Sequence, residues 1–168
     1  MNVKPWEYSN DIKLVDTEHL DIRSRYVALS HCRGKKQIIA ITRATEIDRH
    51  KEILFDTLSK TFRDAVLTTH RLDVQYPWID SLCIIQDDAE DWQEQSGKMA
   101  DVYQQACLVL SASSSADGSG GCFSIREKGV KDGVDATFQG SMRDMLKWKK
   151  WTVYTKTICN YKFQLLEF

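Results

Sequence analysis

The chain is constrained most by three short apolar runs that alternate with helical patterns. The runs are Tyr26-Val27-Ala28-Leu29-Ser30, Tyr76 through Ile85, and Cys107-Leu108-Val109-Leu110-Ser111-Ala112. Each is too apolar for a surface segment and too short for a buried helix, so each reads as a strand buried on both faces. Pro77 falls near the start of the second run, where its missing N–H does least harm. Between the first two runs, Leu58, Phe62, Ala65, Val66, Thr69 and Leu72 recur at three- and four-residue steps, the spacing of one helix face. Thr61 followed by Asp64 matches a capping box near the start of that helix. Between the second and third runs, Trp92, Ser96, Met99, Tyr103 and Ala106 form the face of a second helix. Asp87, Asp88, Glu90 and Asp91 crowd its first turn, as the helix dipole favours, and Asp87 and Asp88 read as caps. Ile12 to Asp16 reads as a further short strand, and Ile38 to Ile41 as a strand or turn. Such alternation predicts an α/β fold with a parallel sheet and right-handed crossovers. Ligands of such sheets collect beyond the carboxyl ends of the strands. Those ends carry Ser30, His31 and Cys32; Asp80, Ser81 and Asp87; and Ser111 and Ser113.

Composition narrows the function classes. The chain has 168 residues, about one domain, and its 23 Lys and Arg nearly balance 24 Asp and Glu. That balance speaks against a nucleic-acid binder, which needs a basic face. No apolar run approaches the roughly 18–20 residues that cross a bilayer, so no membrane span is expected. The first eleven residues are polar and hold no secretory h-region. Five cysteines, an odd number without a Cys-x-x-Cys pair, read as free thiols rather than as zinc ligands, and no metal is expected. Cys32, Cys83 and Cys107 lie in apolar runs and read as small buried hydrophobes. Charge is uneven: residues 127–168 carry eight Lys and Arg against five Asp and Glu. In that segment Lys147-Trp148-Lys149-Lys150-Trp151 alternates basic and aromatic residues, and a solvated or disordered tail is the preferred reading. The loop Asp117-Gly118-Ser119-Gly120-Gly121 lacks the Gly-Lys-Ser/Thr ending of a P-loop.

Three ordered motifs carry a family resemblance over about residues 12–126. Tyr26-Val27-Ala28-Leu29-Ser30-His31-Cys32-Arg33-Gly34 resembles the first signature of the fungal heterokaryon incompatibility (HET) domain, usually YVALSHCWG. Trp78-Ile79-Asp80-Ser81-Leu82-Cys83-Ile84-Ile85-Gln86-Asp87, with Asp91-Trp92, Met99 and Val102-Tyr103, resembles the second. Gly121-Cys122-Phe123 with Arg126 is similar to the third, GLFxxR. Between them, Leu58 to Ala65 looks like the family's LPxTFxDA helix start. The resemblance implies an intracellular, cytoplasmic fungal protein of nonself recognition that triggers programmed cell death through self-association or protein partners. It also implies a flavodoxin-like, TIR-like (Toll/interleukin-1 receptor) three-layer domain. The layout it suggests is a lead-in over 1–24, the α/β domain over 25–126 and a basic tail over 127–168 that is disordered or the end of a shortened gene product. Some TIR domains hydrolyse NAD, so a nucleotide glycohydrolase with NAD as substrate is the alternative, and a degenerate inactive remnant is a third reading. No cofactor is otherwise implied. Three positions depart from the pattern: Arg33 stands for Trp, Ser59 for Pro, and Gln95 for a Glu. An amide at 95 cannot ionise, and Glu94 beside it lies about 100° around the helix.

Candidate catalytic residues are therefore Asp80, Glu94 and His31, and candidate ligand-binding residues are Ser30, Ser81, Asp87 and Trp92. Asp80 interrupts an apolar run, and a buried carboxylate needs a partner. Backbone N–H groups, a pocket, or Arg63, Arg71 or Arg126 are the candidates. His31 is suited to acid–base work or to ordering its loop. A thiolate pair with Cys32 is disfavoured, because neighbours on a strand point to opposite faces. Trp78 and Trp92 fit core packing better than base stacking.

Overall fold

The computed structural model describes residues 12–21, 24–35, 39–123 and 164–168. It is a mixed α/β structure built on a three-stranded parallel sheet. Its elements run β1 (Lys13–Asp16), β2 (Tyr26–Ser30), α1 (Glu46–Lys51), α2 (Lys60–Arg71), β3 (Tyr76–Trp78), α3 (Asp80–Cys83), α4 (Ala89–Gln105), β4 (Leu108–Ser111) and β5 (Gln164–Glu167). The parallel sheet has the order β3-β2-β4. Tyr26 to Ala28 pair with Tyr76 to Trp78 on one side, and Val27 to Ser30 with Leu108 to Ser111 on the other. β2 is thus the middle strand, which is why its run is apolar throughout: Tyr26, Val27, Ala28 and Leu29 are all buried.

The helices start where their sequences supply acceptors. Ser59 caps α2, its Oγ accepting the Phe62 N–H at 3.3 Å. Asp88 caps α4, its Oδ1 accepting the N–H groups of Glu90 and Asp91 at 3.0 and 3.2 Å. Arg43 bonds the other oxygen of Asp88, and that hydrogen bond holds the Asp88 carboxyl below the ordinary range. The expected capping box at Thr61 and Asp64 has a different use. Both lie inside α2 and receive the loop of the third motif: Gly121 N–H donates to Thr61 Oγ1 at 3.1 Å and Cys122 N–H to Asp64 Oδ2 at 3.0 Å. Gly121 sits at φ 89°, in the left-handed region that favours glycine.

Three expectations are corrected. The second apolar run is not one central strand to Ile85. It pairs only as β3, on the sheet edge, where Pro77 is harmless, then makes one helical turn, α3. Interior burial of that turn satisfies the same apolar pattern, because short buried strands and helices look alike in sequence. Its backbone is tied by Ile41, whose N–H donates to Ser81 O and whose carbonyl accepts from Gln86 N–H. The third run is not buried throughout: Ala112 is buried, but on β4 Leu108 is 39% and Val109 42% exposed. Trp92 is 50% exposed and is not core, although Met99, Tyr103 and Ala106 on the same helix do pack inward.

A second, antiparallel ladder joins β1 to β5, with Leu14 opposite Leu166. Leu165 and Leu166 are fully buried in the same core as Phe62 and Trp78. Lys13 pairs with Glu167 at 2.9 Å. The basic segment Lys147 to Trp151 and Arg126 lie outside the described residues. Because Leu165 has no exposed surface, Leu165→Ala should cost about 2–5 kcal/mol in urea denaturation of the whole chain. A loss under about 1 kcal/mol would mean β5 does not contribute to the core.

Candidate functional site

Three of the predicted residues meet at the carboxyl ends of β2 and β3. β2 ends at Ser30, and His31 turns inward directly after it. The His31 side chain is 1% exposed and packs edge-on against the Phe62 ring, with centroids 5.0 Å apart. Its Nδ1 lies 3.8 Å from Asp80 Oδ1, too far for a hydrogen bond. Neither ring nitrogen has a hydrogen-bond partner among the described residues. Burial pushes the His31 pKa below its ordinary value, opposed by the Asp80 charge and aided by Arg33. His31 is thus held uncharged at neutral pH.

Asp80 opens α3, directly after β3. Its Oδ1 accepts the Ser81 N–H at 2.6 Å. Its Oδ2 accepts from Arg33 Nη2 at 3.2 Å, and Arg33 Nη1 donates to Gln86 Oε1 at 2.8 Å. Gln86 is itself fixed, its amide donating to the carbonyls of Ile84 and Asp80. The partner of Asp80 is therefore Arg33, not Arg63 or Arg71. The Ser81 hydroxyl is buried with no partner among the described residues. Tyr103 closes the inner side: its hydroxyl donates to Leu29 O at 3.2 Å, and its ring packs edge-on against Trp78. Burial, then the Asp80 charge, push the Tyr103 pKa up. Burial pushes the Cys83 thiol up to about 12.

Other candidates bond elsewhere or face away from this cluster. Asp87 accepts the Arg43 N–H at 2.8 Å and is exposed. Glu94 is exposed and paired with Lys98 one turn on. Ser30 is half-buried and pairs in register with Ser111 across β2 and β4. Cys32, expected inside, is exposed. Once His31 turns inward, strand-like alternation sends the next side chain out. Gln95 donates to Asp91 Oδ1 at 3.3 Å, while Asp91 Oδ2 accepts the Ile85 N–H at 2.8 Å. Arg33, Gln86 and Tyr103 were not among the candidate residues. Only the adjacency of Arg33 to the first strand end pointed to it. Among the described residues no three His, Cys, Asp or Glu side chains come together as a metal site. No described helix is long and apolar enough to cross a membrane.

The parallel sheet, with a part-buried His–Asp–Arg cluster at its carboxyl edge, is that of an α/β domain. The family model of the heterokaryon incompatibility protein (HET) matches residues 26–161, and the chain belongs to that family. No curated protein and no solved structure matches the chain significantly.

The neutral, buried state of His31 has a stability consequence. In the unfolded chain His31 returns to its ordinary 6.5, above its folded value. The unfolded chain then binds more protons at mildly acid pH, so stability falls as pH drops through about 6.5 and levels off below the folded value. Urea midpoints of the wild type should fall more steeply than those of His31→Gln between about pH 7.5 and about pH 5.5. Parallel curves would show that His31 titrates normally in the fold.

Proposed function

We propose that this chain is a heterokaryon incompatibility effector of a fungal cell, acting in the cytoplasm in nonself recognition and triggering cell death through self-association or protein partners. Its family membership supports the biological setting. The single observation that carries association is the β4 edge. β4 pairs with β2 alone among the described residues, and it presents Leu108 and Val109 to solvent. Residues 106–116 contain no charge, proline or glycine. Edge strands are normally guarded by such residues, and an unguarded one is a template for pairing. The strand order supports a flavodoxin-like or TIR-like three-layer domain. The first parallel strand lies between the second and third, as doubly wound sheets of that type begin.

A second reading is favoured by the meeting of His31 and Asp80 at the strand ends. It is a glycohydrolase of NAD or a related nucleotide, with Asp80 as the working carboxylate. Glu94, turned out to Lys98, has no part in it.

Expression of the full chain in fungal cells should arrest growth, and the purified protein should form oligomers in light scattering. The double variant Leu108→Lys with Val109→Lys should keep its circular dichroism and lose both properties. Retention of oligomers and killing by the folded variant would remove the β4 edge from the mechanism. Incubation with NAD tests the second reading. Turnover that drops about a hundredfold or more in Asp80→Asn supports it, and no consumption of NAD by the wild type excludes it.

A further inference from the structure

The His31 cluster carries a feature that the association reading does not use. His31 is enclosed, uncharged and unbonded, 3.8 Å from a carboxylate oxygen that it does not touch. The other oxygen of that carboxylate is held by Arg33 at 3.2 Å. His31 and Arg33 both lie in the segment that leaves β2. That segment is pinned at two further points. Arg33 bonds Gln86 at 2.8 Å. Gly34, at φ 67°, packs so closely on Asp117 that a Cβ would collide with it.

We propose that His31, Asp80 and Arg33 form a proton-operated latch on the segment that leaves the carboxyl end of β2. With His31 neutral, Asp80 belongs to Arg33 and the segment is closed. A proton taken from solvent makes His31 a cation in a nearly dry site, where an unpaired charge is costly. The acceptor within reach is Asp80 Oδ1. Closing that 3.8 Å gap places two cations on one carboxylate. Arg33 is the one that leaves, because its side chain is already 48% exposed and water receives it at little cost. Its bonds to Asp80 and Gln86 are then lost together, and residues 31–33 loosen while Gly34 stays packed on Asp117.

The charged groups that reach His31 are Asp80 from α3 and Arg33 from its own segment. α2 offers it the uncharged Phe62 ring. Tyr103 of α4 and the Cys83 thiol feel the Asp80 charge, and both stay neutral across the range because burial raises them. The other imidazole on these elements, His70, lies in the last turn of α2 against Phe168, away from His31. The latch is independent of which function holds, since it concerns only how the segment after β2 is held.

Hydrogen exchange of the whole chain, followed by mass spectrometry and corrected for intrinsic rates, tests it. The wild-type peptide over residues 30–35 should exchange about tenfold faster at the acid end, one pKa unit of coupling. That pH dependence should vanish in His31→Gln, which bonds but does not titrate in this range. In Arg33→Gln the peptide should exchange fast at both ends. Equal exchange of the wild type at both ends, or a response retained in His31→Gln, overturns the latch. If His31→Gln does not fold, the imidazole resonances of His31 decide. Removing Arg33 should raise the His31 titration midpoint, and an unchanged midpoint overturns the proposal.

Discussion

The structure depends on burying one strand on both of its faces. β2 can be the middle of the parallel sheet only because Tyr26 to Leu29 ask for no water on either side. Its position fixes what surrounds it. Tyr26 reaches the Val102 carbonyl through its hydroxyl, and the Cys107 N–H donates to the Tyr26 carbonyl, so the end of α4 and the start of β4 are both tied to the strand. Tyr103, one residue along α4, then bonds Leu29 O at the strand's other end. With β2 held along its length, the chain leaves it at Ser30 in a determined direction. His31 enters the core against Phe62, and Cys32 and Arg33 emerge.

That geometry makes the polar cluster a consequence of the fold. A buried group without a hydrogen bond costs about 1–3 kcal/mol. His31 and Ser81 are both left in that condition among the described residues; the His31 ring faces Asp80 Oδ1, and the Ser81 backbone N–H donates to it. Asp80 itself is accommodated by one backbone N–H and one guanidinium. A carboxylate mostly out of water, held by two donors, with an uncharged imidazole 3.8 Å away, is not an arrangement that stability alone selects. Well-packed apolar residues of similar size would serve stability at least as well.

Much of this was legible in the sequence, and the rest fails for identifiable reasons. β2, α2, α4 and the strand-helix alternation follow from periodicity, and Asp88 follows from cap chemistry. The Tyr76–Ile85 run was misread because burial, not strand pairing, is what its apolar residues record. β4 was misread for the opposite reason: its apolar residues are not covered by the described chain. The ladder of β1 with β5 joins segments about 150 residues apart, a separation that local patterns do not encode. At the site, His31, Asp80 and Ser81 were found through strand ends. The partner of Asp80 was missed because Arg33 lies 47 residues away, and a side chain's reach across a fold has no local signature.

The amide at Gln95 completes the chemical picture. Asp91 already serves two donors, the Ile85 N–H and the Gln95 amide, and so joins the end of the α3 segment to α4. A glutamate in place of Gln95 would set two carboxylates one helical turn apart, where like charges repel. Gln95 removes that repulsion and adds a donor, which favours the helix at the expense of an ionisable group. Glu94 does not replace it, because its position on the helix directs it to Lys98 and to solvent. Among the candidate acids, Asp80 alone therefore stands next to a titratable partner inside the fold. It is also bonded to Arg33, which lies on the same segment as His31.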